Sequence, residues 1–375
     1  MTTPTATIIF VSNDIDNFRH HRTHLVDVAV ELNMDVVVLA GGNGIPPKNC
    51  EYQNVKIDRF QFHWTDFNIF KSILINIFRR RPAILHLVNL KPYLYGGIAA
   101  RIAKSLGWQG KLVVSVPGLG RLYDGKDLTL AKKMRTKAIE LVLKVCLGDA
   151  TICFETSSDR DFWIKRGLTI SNKTELTNGT GIDLAQFRPP RRRVSGRPLK
   201  VLYAGRLLKA KGLDVFLRTA EISQMENVEM VVAGQTEADP DGVSESILRD
   251  HPCVVFLGKV DDMPHLLGQT DIVVLPSRYN EGVPRILIEA AACGCVSIAT
   301  DFAGSRALIE EGVTGFFLRQ ATIKGQSDEI LSIIENLSEN PSMITIIGNN
   351  AREHLFKGGF SSDAVKAAFQ RVYSH

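Results

Sequence analysis

The sequence has few cysteines, no long apolar run and no leader-like start. Its six cysteines show neither paired zinc spacing nor a C-x-x-C motif, which favours reduced structural thiols over a disulfide framework. No apolar run approaches the roughly 18 residues of a membrane-spanning helix, and residues 1–5 lack the basic and apolar regions of a signal peptide. These absences argue against a disulfide-rich secreted domain and an integral membrane protein, so we expect a cytoplasmic protein.

Two further chemical signatures are absent. Residues 41–44 read Gly-Gly-Asn-Gly after the second predicted strand, which is not the G-x-G-x-x-G loop of a nicotinamide-dependent dehydrogenase. The D-x-D pairs at Asp14 and Asp16, and at Asp239 and Asp241, imitate a metal-binding pattern, but their surroundings favour turns. We therefore expect neither a metal ion nor an organic cofactor.

Strand-like apolar runs alternate with helical patterns along the whole chain. The runs cover residues 7–11, 35–39, 83–87, 111–116 and 150–154, and then 200–204, 228–233, 254–257, 271–275 and 296–299. Helical patterns such as residues 21–32 and 97–106 separate them. Two such βα-alternating halves predict an α/β fold of two doubly wound, Rossmann-like domains with parallel sheets and a ligand in the cleft between them.

The length and the charge distribution predict the same division. A chain of 375 residues exceeds what one hydrophobic core usually supports. We expect a first domain at residues 1–186, a linker rich in proline and arginine at 187–198, and a second domain at 199–358. A final helix at 359–375 is expected to pack back on the first domain. Residues 1–200 hold 30 basic against 17 acidic residues, a balance of +13, whereas residues 201–375 hold 15 against 23, a balance of −8.

Residues 281–289 predict a helix whose start binds an anionic ligand. The apolar run at 271–275 precedes them, and Pro284 suits the first helical position because its missing N–H would be unpaired there anyway. A helix start presents free N–H groups and partial positive charge, which attract a diphosphate. Glu281 and Glu289 are at most roughly 12 Å apart at 1.5 Å rise per residue. That spacing suits one carboxylate at a sugar and the other at a ribose.

A second strand leads into two cations. Gly205 and Arg206 follow the run at 200–204, and Lys211 comes five residues after Arg206. A guanidinium offers a planar donor fork and an ammonium a compact charge, and both are used to bind phosphate oxygens. A strand, a glycine turn and two cations ahead of an anion-binding helix favour a nucleoside diphosphate site over a solvated basic loop.

With these motifs the chain resembles the retaining glycosyltransferases of family four, which have the GT-B fold. The matching patterns are G-R-x-x-x-x-K-G at residues 205–212 and E-x7-E at 281–289. The resemblance implies that Arg206 and Lys211 bind the donor diphosphate, that Glu281 contacts the transferred sugar and that Glu289 contacts the ribose. We place Glu281, Arg206 and Lys211 in a catalytic set, and we add to Glu289 a donor-binding set of Gly205, Gly282, Val283, Arg285 and Val260. Pro284 stands where many relatives have a glycine. Proline has no N–H, so the N–H groups of Val283 and Arg285 are the expected contacts of the donor.

Three loops after strands of the first half are expected to contact an acceptor. The candidate residues are Arg19, His21 and Arg22 in the first loop, His86 and Asn89 in the second, and Gly118, Gly120 and Arg121 in the third. Ordinary turn chemistry remains an alternative for each loop. An apolar-Gly-Leu-Gly loop at 116–120 is similar to that of bacterial transferases that extend polyprenyl-diphosphate-linked saccharides. Pro117 stands where many relatives have a histidine.

Residues 71–81 and 130–144 mix cations with apolar side chains at helical spacing. Such helices bind anionic lipid, with about 1 kcal/mol per basic residue near the bilayer. The alternative is an apolar stripe in the core with a solvated basic back. The +13 balance of residues 1–200 favours a membrane surface as the partner of these helices. No nucleic-acid recognition motif accompanies the basic residues, so a nucleic acid is not the expected partner.

We therefore expect a metal-independent retaining glycosyltransferase without a cofactor. Its donor would be a UDP-sugar carrying a hexose or N-acetylhexosamine, and its acceptor a lipid-linked saccharide at the inner membrane face. One alternative is a sugar-nucleotide epimerase of the same fold, which would not need a basic acceptor domain. The other is a non-catalytic sugar-nucleotide-binding protein, which the presence of both glutamates and both cations disfavours.

Overall fold

The computed structural model describes residues 6–57, 66–119, 123, 129–189, 196–236 and 239–374. It divides the chain into unit 1, residues 1–180 with 362–375, and unit 2, residues 181–361. We expected the first domain to extend to residue 186. The division comes earlier because Ile182 and Phe187 are buried in a core of unit 2. Residues 190–195 of the expected linker lie outside the described residues.

Unit 1 is built on a parallel sheet. Its described strands are β1 Thr7–Ser12, β2 Asp35–Ala40, β3 Glu51–Asn54, β4 Ile84–Val88, β5 Lys111–Val116, β6 Thr151–Phe154 and β7 Thr174–Leu176, in the order β3-β2-β1-β4-β5-β6-β7. The helices between them are α1 Ile15–Glu31, α2 Phe67–Arg80, α3 Leu90–Ser105, α4 Leu130–Cys146 and α5 Ser157–Lys165. One core packs α2, α3, α4 and α5 on one face of the sheet, and a second core packs α1 on the other.

Unit 2 repeats this architecture with a second parallel sheet. Its described strands are β8 Leu199–Ala204, β9 Val228–Ala233, β10 Val255–Phe256, β11 Ile272–Leu275, β12 Val296–Thr300 and β13 Gly315–Leu318, in the order β10-β9-β8-β11-β12-β13. Its helices are α6 Leu213–Ile222, α7 Glu245–Arg249, α8 Met263–Gly268, α9 Arg285–Ala292, α10 Ala303–Arg306, α11 Ile323–Glu339 and α12 Pro341–Lys357. In both sheets the strand order reverses beside the first strand of the unit, which is where ligands bind in doubly wound folds.

The α/β fold of two parallel sheets is confirmed, and the central strands lie where the apolar runs predicted them. Central strands are buried on both faces, so their sequences are nearly continuous apolar runs. The sequence analysis missed β3, β7 and β13, which all lie at sheet edges. The residues of β3 are polar and mostly exposed, so this strand carries no apolar signal. None of the described helices is long and apolar enough to cross a membrane.

The last helix, α13 (Ser362–Ser374), belongs to unit 1 although the whole of unit 2 precedes it in the chain. It packs against α1 and buries Phe369 and Tyr373 in the same core as that helix. The hydroxyl of Tyr373 lies 2.8 Å from Nδ1 of His86, and Lys111 Nζ donates to the carbonyl oxygen of Val372 at 2.7 Å. The helix therefore completes one face of the unit 1 sheet.

We expect Phe369→Ala to destabilise the protein by about 3–5 kcal/mol, because this ring is 1% exposed and its removal leaves a cavity between α13 and the sheet. The matched control is Phe356→Ala on α12, whose ring is 64% exposed and whose loss should change the free energy of unfolding by at most about 0.5 kcal/mol. Urea unfolding measures both variants. Equal losses in the two would contradict the role given to α13.

Candidate functional site

The site predicted in unit 2 lies at the carboxyl ends of β8 and β11, two neighbouring strands at the reversal of strand order. Arg206 and Lys211 follow β8, and Glu281 follows β11. A main-chain hydrogen bond of 2.9 Å from the N–H of Arg278 to the carbonyl oxygen of Ala210 joins the two loops. The structure therefore brings together the three residues of the predicted catalytic set.

Two glycines allow the backbones around this site to approach closely. Gly212 has a φ of +77°, and a Cβ at this position would lie 2.1 Å from the carbonyl oxygen of Pro276. A Cβ on Gly304, at the start of α10, would lie 1.8 Å from the carbonyl oxygen of Gly282. A larger residue at 212 would push the loop that carries Lys211 away from Pro276, and one at 304 would push α10 away from the loop that carries Glu281.

Lys211 and Glu281 form an ion pair. Lys211 Nζ contacts Oε2 of Glu281, and the hydroxyl of Ser277 donates to Oε1 of Glu281 at 2.7 Å. The two charged side chains are only 12% and 18% exposed. Both carboxylate oxygens therefore have a partner, and the lysine charge is balanced in a poorly solvated place where an unpaired charge would be costly.

Tyr279 connects the two cations and was not predicted. Arg206 donates from Nη2 to the Tyr279 hydroxyl at 3.1 Å, and Lys211 Nζ lies 5.3 Å from the centroid of the Tyr279 ring. Below them, the hydroxyl of Tyr203 donates to the carbonyl oxygen of Arg206 at 2.9 Å. The only sequence signal for Tyr279 is its position two residues before Glu281.

Glu289 lies on α9 and is buried, with 7% of its surface exposed. Burial raises the pKa of its carboxyl, and the charge and hydrogen bond of Arg285 oppose that shift. Arg285 donates from Nε to Oε1 of Glu289 at 2.8 Å. Two predicted donor-binding residues thus contact each other along one face of the helix.

The start of α9 differs by one residue from the prediction. Pro284 has a ψ of 122° and is the cap residue, so the helix begins at Arg285. The first N–H groups of a helix have no partner within it, so this end of α9 can still bind an anion. Gly282 and Val283 are buried in the turn that leads into it.

The remaining predicted donor-binding residues lie close to these elements. Gly205 is exposed at the end of β8, and its carbonyl oxygen would lie 1.9 Å from a Cβ on Gly234. Val260 is half-buried against the same apolar cluster of unit 2 as Ile286 of α9. The structure gives Val260 no polar contact that would assign it a role.

A pocket beside Glu281 has a wall that the sequence analysis missed. It is lined by Leu275, Ser277, Tyr279, Glu281, Gly282, Pro284, Ala299, Thr300, Phe302 and Ser305. The last four come from the end of β12 and the start of α10. Among the residues that the structure describes, the buried hydroxyl oxygen of Thr300 has no hydrogen-bond partner. In the sequence, Thr300 is visible as a polar residue directly after the apolar run at 296–299.

Two residues predicted to contact an acceptor are instead buried in unit 1. Arg22 donates to Oε1 of Glu155 at 2.7 Å, and both side chains are 7% exposed. His86 is fully buried, with its ring nitrogens 2.8 Å from the hydroxyls of Tyr373 and Ser115. Burial, with a smaller effect of the Arg22 charge, lowers the pKa of His86 to about 3. Both residues therefore hold elements of the core together, and the structure shows neither side chain open to an acceptor.

The other predicted acceptor residues are at or near the carboxyl ends of the unit 1 strands. Asn89 precedes α3 and accepts from the hydroxyl of Ser12 at 3.3 Å, which joins the ends of β1 and β4. Arg19 is exposed and His21 half-buried on α1, and Gly118 follows β5 with a φ of +154°. Gly120 and Arg121 lie outside the described residues. The roles of these residues stay predictions.

The two D-x-D pairs have structural roles. Asp14 caps α1 by accepting from the N–H of Asn17 at 2.8 Å. Asp241 accepts from the N–H of Ala210 at 2.5 Å and so supports the loop that carries Lys211. In the part of the chain that the structure describes, no three His, Cys, Asp or Glu side chains are grouped to hold a metal ion.

Comparison with known proteins matches one part of the chain to a family. The sequence model of the family "Glycosyl transferases group 1" matches residues 198–336, which include α9 and the loops that carry Arg206, Lys211 and Glu281. The chain is 25% identical to the capsular polysaccharide biosynthesis glycosyltransferase CapM of Staphylococcus aureus over 91% of this chain and 90% of that protein.

It is also 25% identical to a Campylobacter jejuni N,N'-diacetylbacillosaminyl-diphospho-undecaprenol alpha-1,3-N-acetylgalactosaminyltransferase, over 87% of this chain and 89% of that protein. The fold is similar to that of HepE from Anabaena in complex with UDP, with a TM-score of 0.74, 19% identity and coverage of 98% of this chain and 99% of that one. Residues 198–336, which carry Arg206, Lys211 and Glu281, thus match the group 1 glycosyltransferases, and the chain as a whole has the GT-B fold.

Proposed function

We propose that this protein is a retaining, metal-independent transferase that moves a hexose or N-acetylhexosamine from a UDP-sugar to a lipid-linked saccharide. It would act in the assembly of a bacterial surface polysaccharide or glycan. The observation that carries the proposal is the group of Arg206, Lys211 and Glu281 at the carboxyl ends of β8 and β11. These residues combine two cations with a carboxylate, as a sugar diphosphate requires.

The two cations would bind the diphosphate and stabilise the charge that develops on it as the sugar leaves. Lys211 balances Glu281 in the free protein. A bound diphosphate would offer Lys211 a second anionic partner beside Arg206. Electrostatic stabilisation of this kind is usually the largest catalytic contribution of an enzyme site. Because the cations supply the positive charge, we propose that no metal ion is needed.

The two glutamates would bind the sugar and the ribose. Glu281 borders the pocket that also contains Thr300, so its oxygens can accept from sugar hydroxyls there. Glu289 is buried on α9 and would accept from the ribose of the nucleotide. UDP is the proposed nucleotide because HepE, which shares the fold, was solved with UDP. Retention of configuration would give an α-linkage from an α-linked donor.

The lipid-linked acceptor is proposed from the relatives and from the surface of unit 1. The Campylobacter relative is named for a diphospho-undecaprenol substrate, and CapM for capsular polysaccharide biosynthesis. A polyprenyl diphosphate stays in the membrane, so an enzyme that uses it has to reach the lipid surface. We propose that unit 1 binds the inner face of the membrane peripherally.

Helix α4 has a surface that suits this contact. Its exposed apolar residues are Leu130, Met134, Leu141, Val142 and Val145. The exposed cations on the same helix are Lys133, Arg135, Lys137 and Lys144. The sequence analysis left open a core-facing apolar stripe, but most large apolar residues of α4 face solvent. An exposed apolar stripe flanked by lysines matches a helix lying in the interface of an anionic bilayer.

The first prediction concerns the two cations. Arg206→Ala or Lys211→Ala should lower the rate of transfer by roughly 10²–10³, the usual loss when one charge-stabilising donor is removed. Arg319→Ala is the matched control, since this exposed arginine pairs with Glu311 and has no proposed donor contact. Release of UDP from a panel of UDP-sugars, with lipid extracts as acceptor, measures all three. Activity within about threefold of the wild type in both site variants would rule out the proposed role.

Metal independence gives a second prediction. Transfer should proceed at an essentially unchanged rate after dialysis against EDTA, because Arg206 and Lys211 supply the charge that a metal ion would otherwise provide. The same assay with added manganese or magnesium completes the experiment. A strict requirement for either cation would contradict the proposal.

The membrane surface is tested with vesicles. Vesicles containing anionic lipid should bind the protein at 0.1 M salt and release it at 1 M, where the Debye length falls from about 10 Å to about 3 Å. Combined Lys133→Gln, Lys137→Gln and Lys144→Gln should weaken binding about a hundredfold, from about 1 kcal/mol per cation. Met134→Ser with Leu141→Ser should weaken it further, and both sets should leave UDP affinity unchanged.

The matched control for these variants is on unit 2. Ile346→Ser, Phe356→Ser and Lys357→Gln remove exposed apolar and basic groups from α12, and they should leave vesicle binding unchanged. Two results would refute the assignment. One is wild-type vesicle binding by the α4 variants, and the other is an equal loss of binding in the α12 variant.

A further inference from the structure

Tyr279 contacts both cations of the proposed diphosphate site. Its hydroxyl accepts a hydrogen bond from Nη2 of Arg206 at 3.1 Å, and its ring centroid lies 5.3 Å from Nζ of Lys211. A ring within about 6 Å of an ammonium group attracts it through the negative face of its π system. One side chain thus interacts with the guanidinium through its oxygen and with the ammonium through its ring.

The backbone on both sides of Tyr279 is fixed. On one side, the N–H of Arg278 donates to the carbonyl oxygen of Ala210 at 2.9 Å. On the other, Glu281 accepts from Ser277 and pairs with Lys211. These bonds hold Tyr279 in a constant position relative to the loop that carries both cations.

Tyr279 adds to the contacts that already hold the two cations. Lys211 is paired with Glu281, and both cations lie on one short loop, where each long side chain loses rotamer freedom when it is ordered. A phenol oxygen and a ring face attract the two cations without adding a net charge that would compete with a phosphate. Ordering them in the free protein lowers the cost of binding, because less freedom remains to be lost.

We propose that Tyr279 is a positioning residue that orders Arg206 and Lys211 for a nucleoside diphosphate before the donor binds. This inference rests on the proposed function of the same site. It adds a residue that acts on affinity through the two cations, beside any contact that it makes as part of the pocket wall. The hydroxyl and the ring have separate partners, so their contributions can be removed one at a time.

The experiment compares two substitutions of Tyr279 by UDP titration calorimetry. Tyr279→Phe keeps the ring over Lys211 but removes the acceptor of Arg206, and it should weaken UDP binding about tenfold, the order expected for a hydrogen bond to a charged group. Tyr279→Leu also removes the ring and should weaken it several-fold more. The affinity for uridine, which has no phosphate, should stay unchanged in both variants when measured by ligand-detected NMR.

Three further variants make the test specific. Tyr52→Phe removes a phenol hydroxyl that bonds the carbonyl oxygen of Gly42 at 2.7 Å in unit 1, so it is the matched control and should bind UDP like the wild type. In an Arg206→Ala background, Tyr279→Phe should change UDP affinity by less than about twofold, because its partner is gone. In a Lys211→Ala background it should keep its full effect.

The outcomes separate this inference from the proposed function. If the wild type bound no UDP, or Arg206→Ala left UDP affinity unchanged, the proposed donor site itself would fail. If Arg206→Ala weakened UDP binding but Tyr279→Phe did not, only the role of Tyr279 would fail. Equal losses for UDP and uridine would show that Tyr279 supports the pocket as a whole, and they would also overturn the inference.

Discussion

The ion pair between Lys211 and Glu281 is the constraint on which the rest of the site depends. The two residues are 70 positions apart in the sequence, and neither charge is well solvated. They can pair only because β8 and β11 are neighbours in a parallel sheet, so that their carboxyl ends meet. The glycines at 212 and 304 let the backbone around the pair pack closely, the Ser277 hydroxyl donates to Glu281, and the Tyr279 ring contacts Lys211.

The part of the fold that could be predicted is the part buried on two sides. Central strands must be apolar along their length, and their runs are visible in the sequence. Edge strands pair on one side only, so a polar segment such as Glu51–Asn54 can serve and carries no periodic signal. Helix starts were predicted less accurately than strands. Helix α1 begins at Ile15, directly after its cap residue Asp14, and this is six residues before its predicted start.

The residues of the site also divide into those that a local sequence pattern predicts and those that no such pattern predicts. Arg206, Lys211 and Glu281 carry charges in a recognisable spacing, so the sequence predicts them. Tyr279 and Thr300 join this group only through the fold, because their neighbours in the site are distant along the chain and no local pattern encodes them. The burial of His86 and Arg22 was not visible in the sequence for a related reason. A polar residue after a strand looks the same whether it faces solvent or bonds within the core, and only the partners Tyr373 and Glu155 distinguish the two cases.

Helix α13 gives unit 1 a discontinuous sequence, with unit 2 inserted before its final element. A ribosome releases the chain from its first residue onward, and domains generally fold as units while they emerge. The strands of unit 2 therefore precede Phe369 and Tyr373 in synthesis, whereas the part of the unit 1 sheet beside α1 that these two residues cover stays open until they are made. The unit whose strands are translated first thus waits for the end of the chain to close its core, and that open part is apolar surface that a chaperone could bind on the nascent chain.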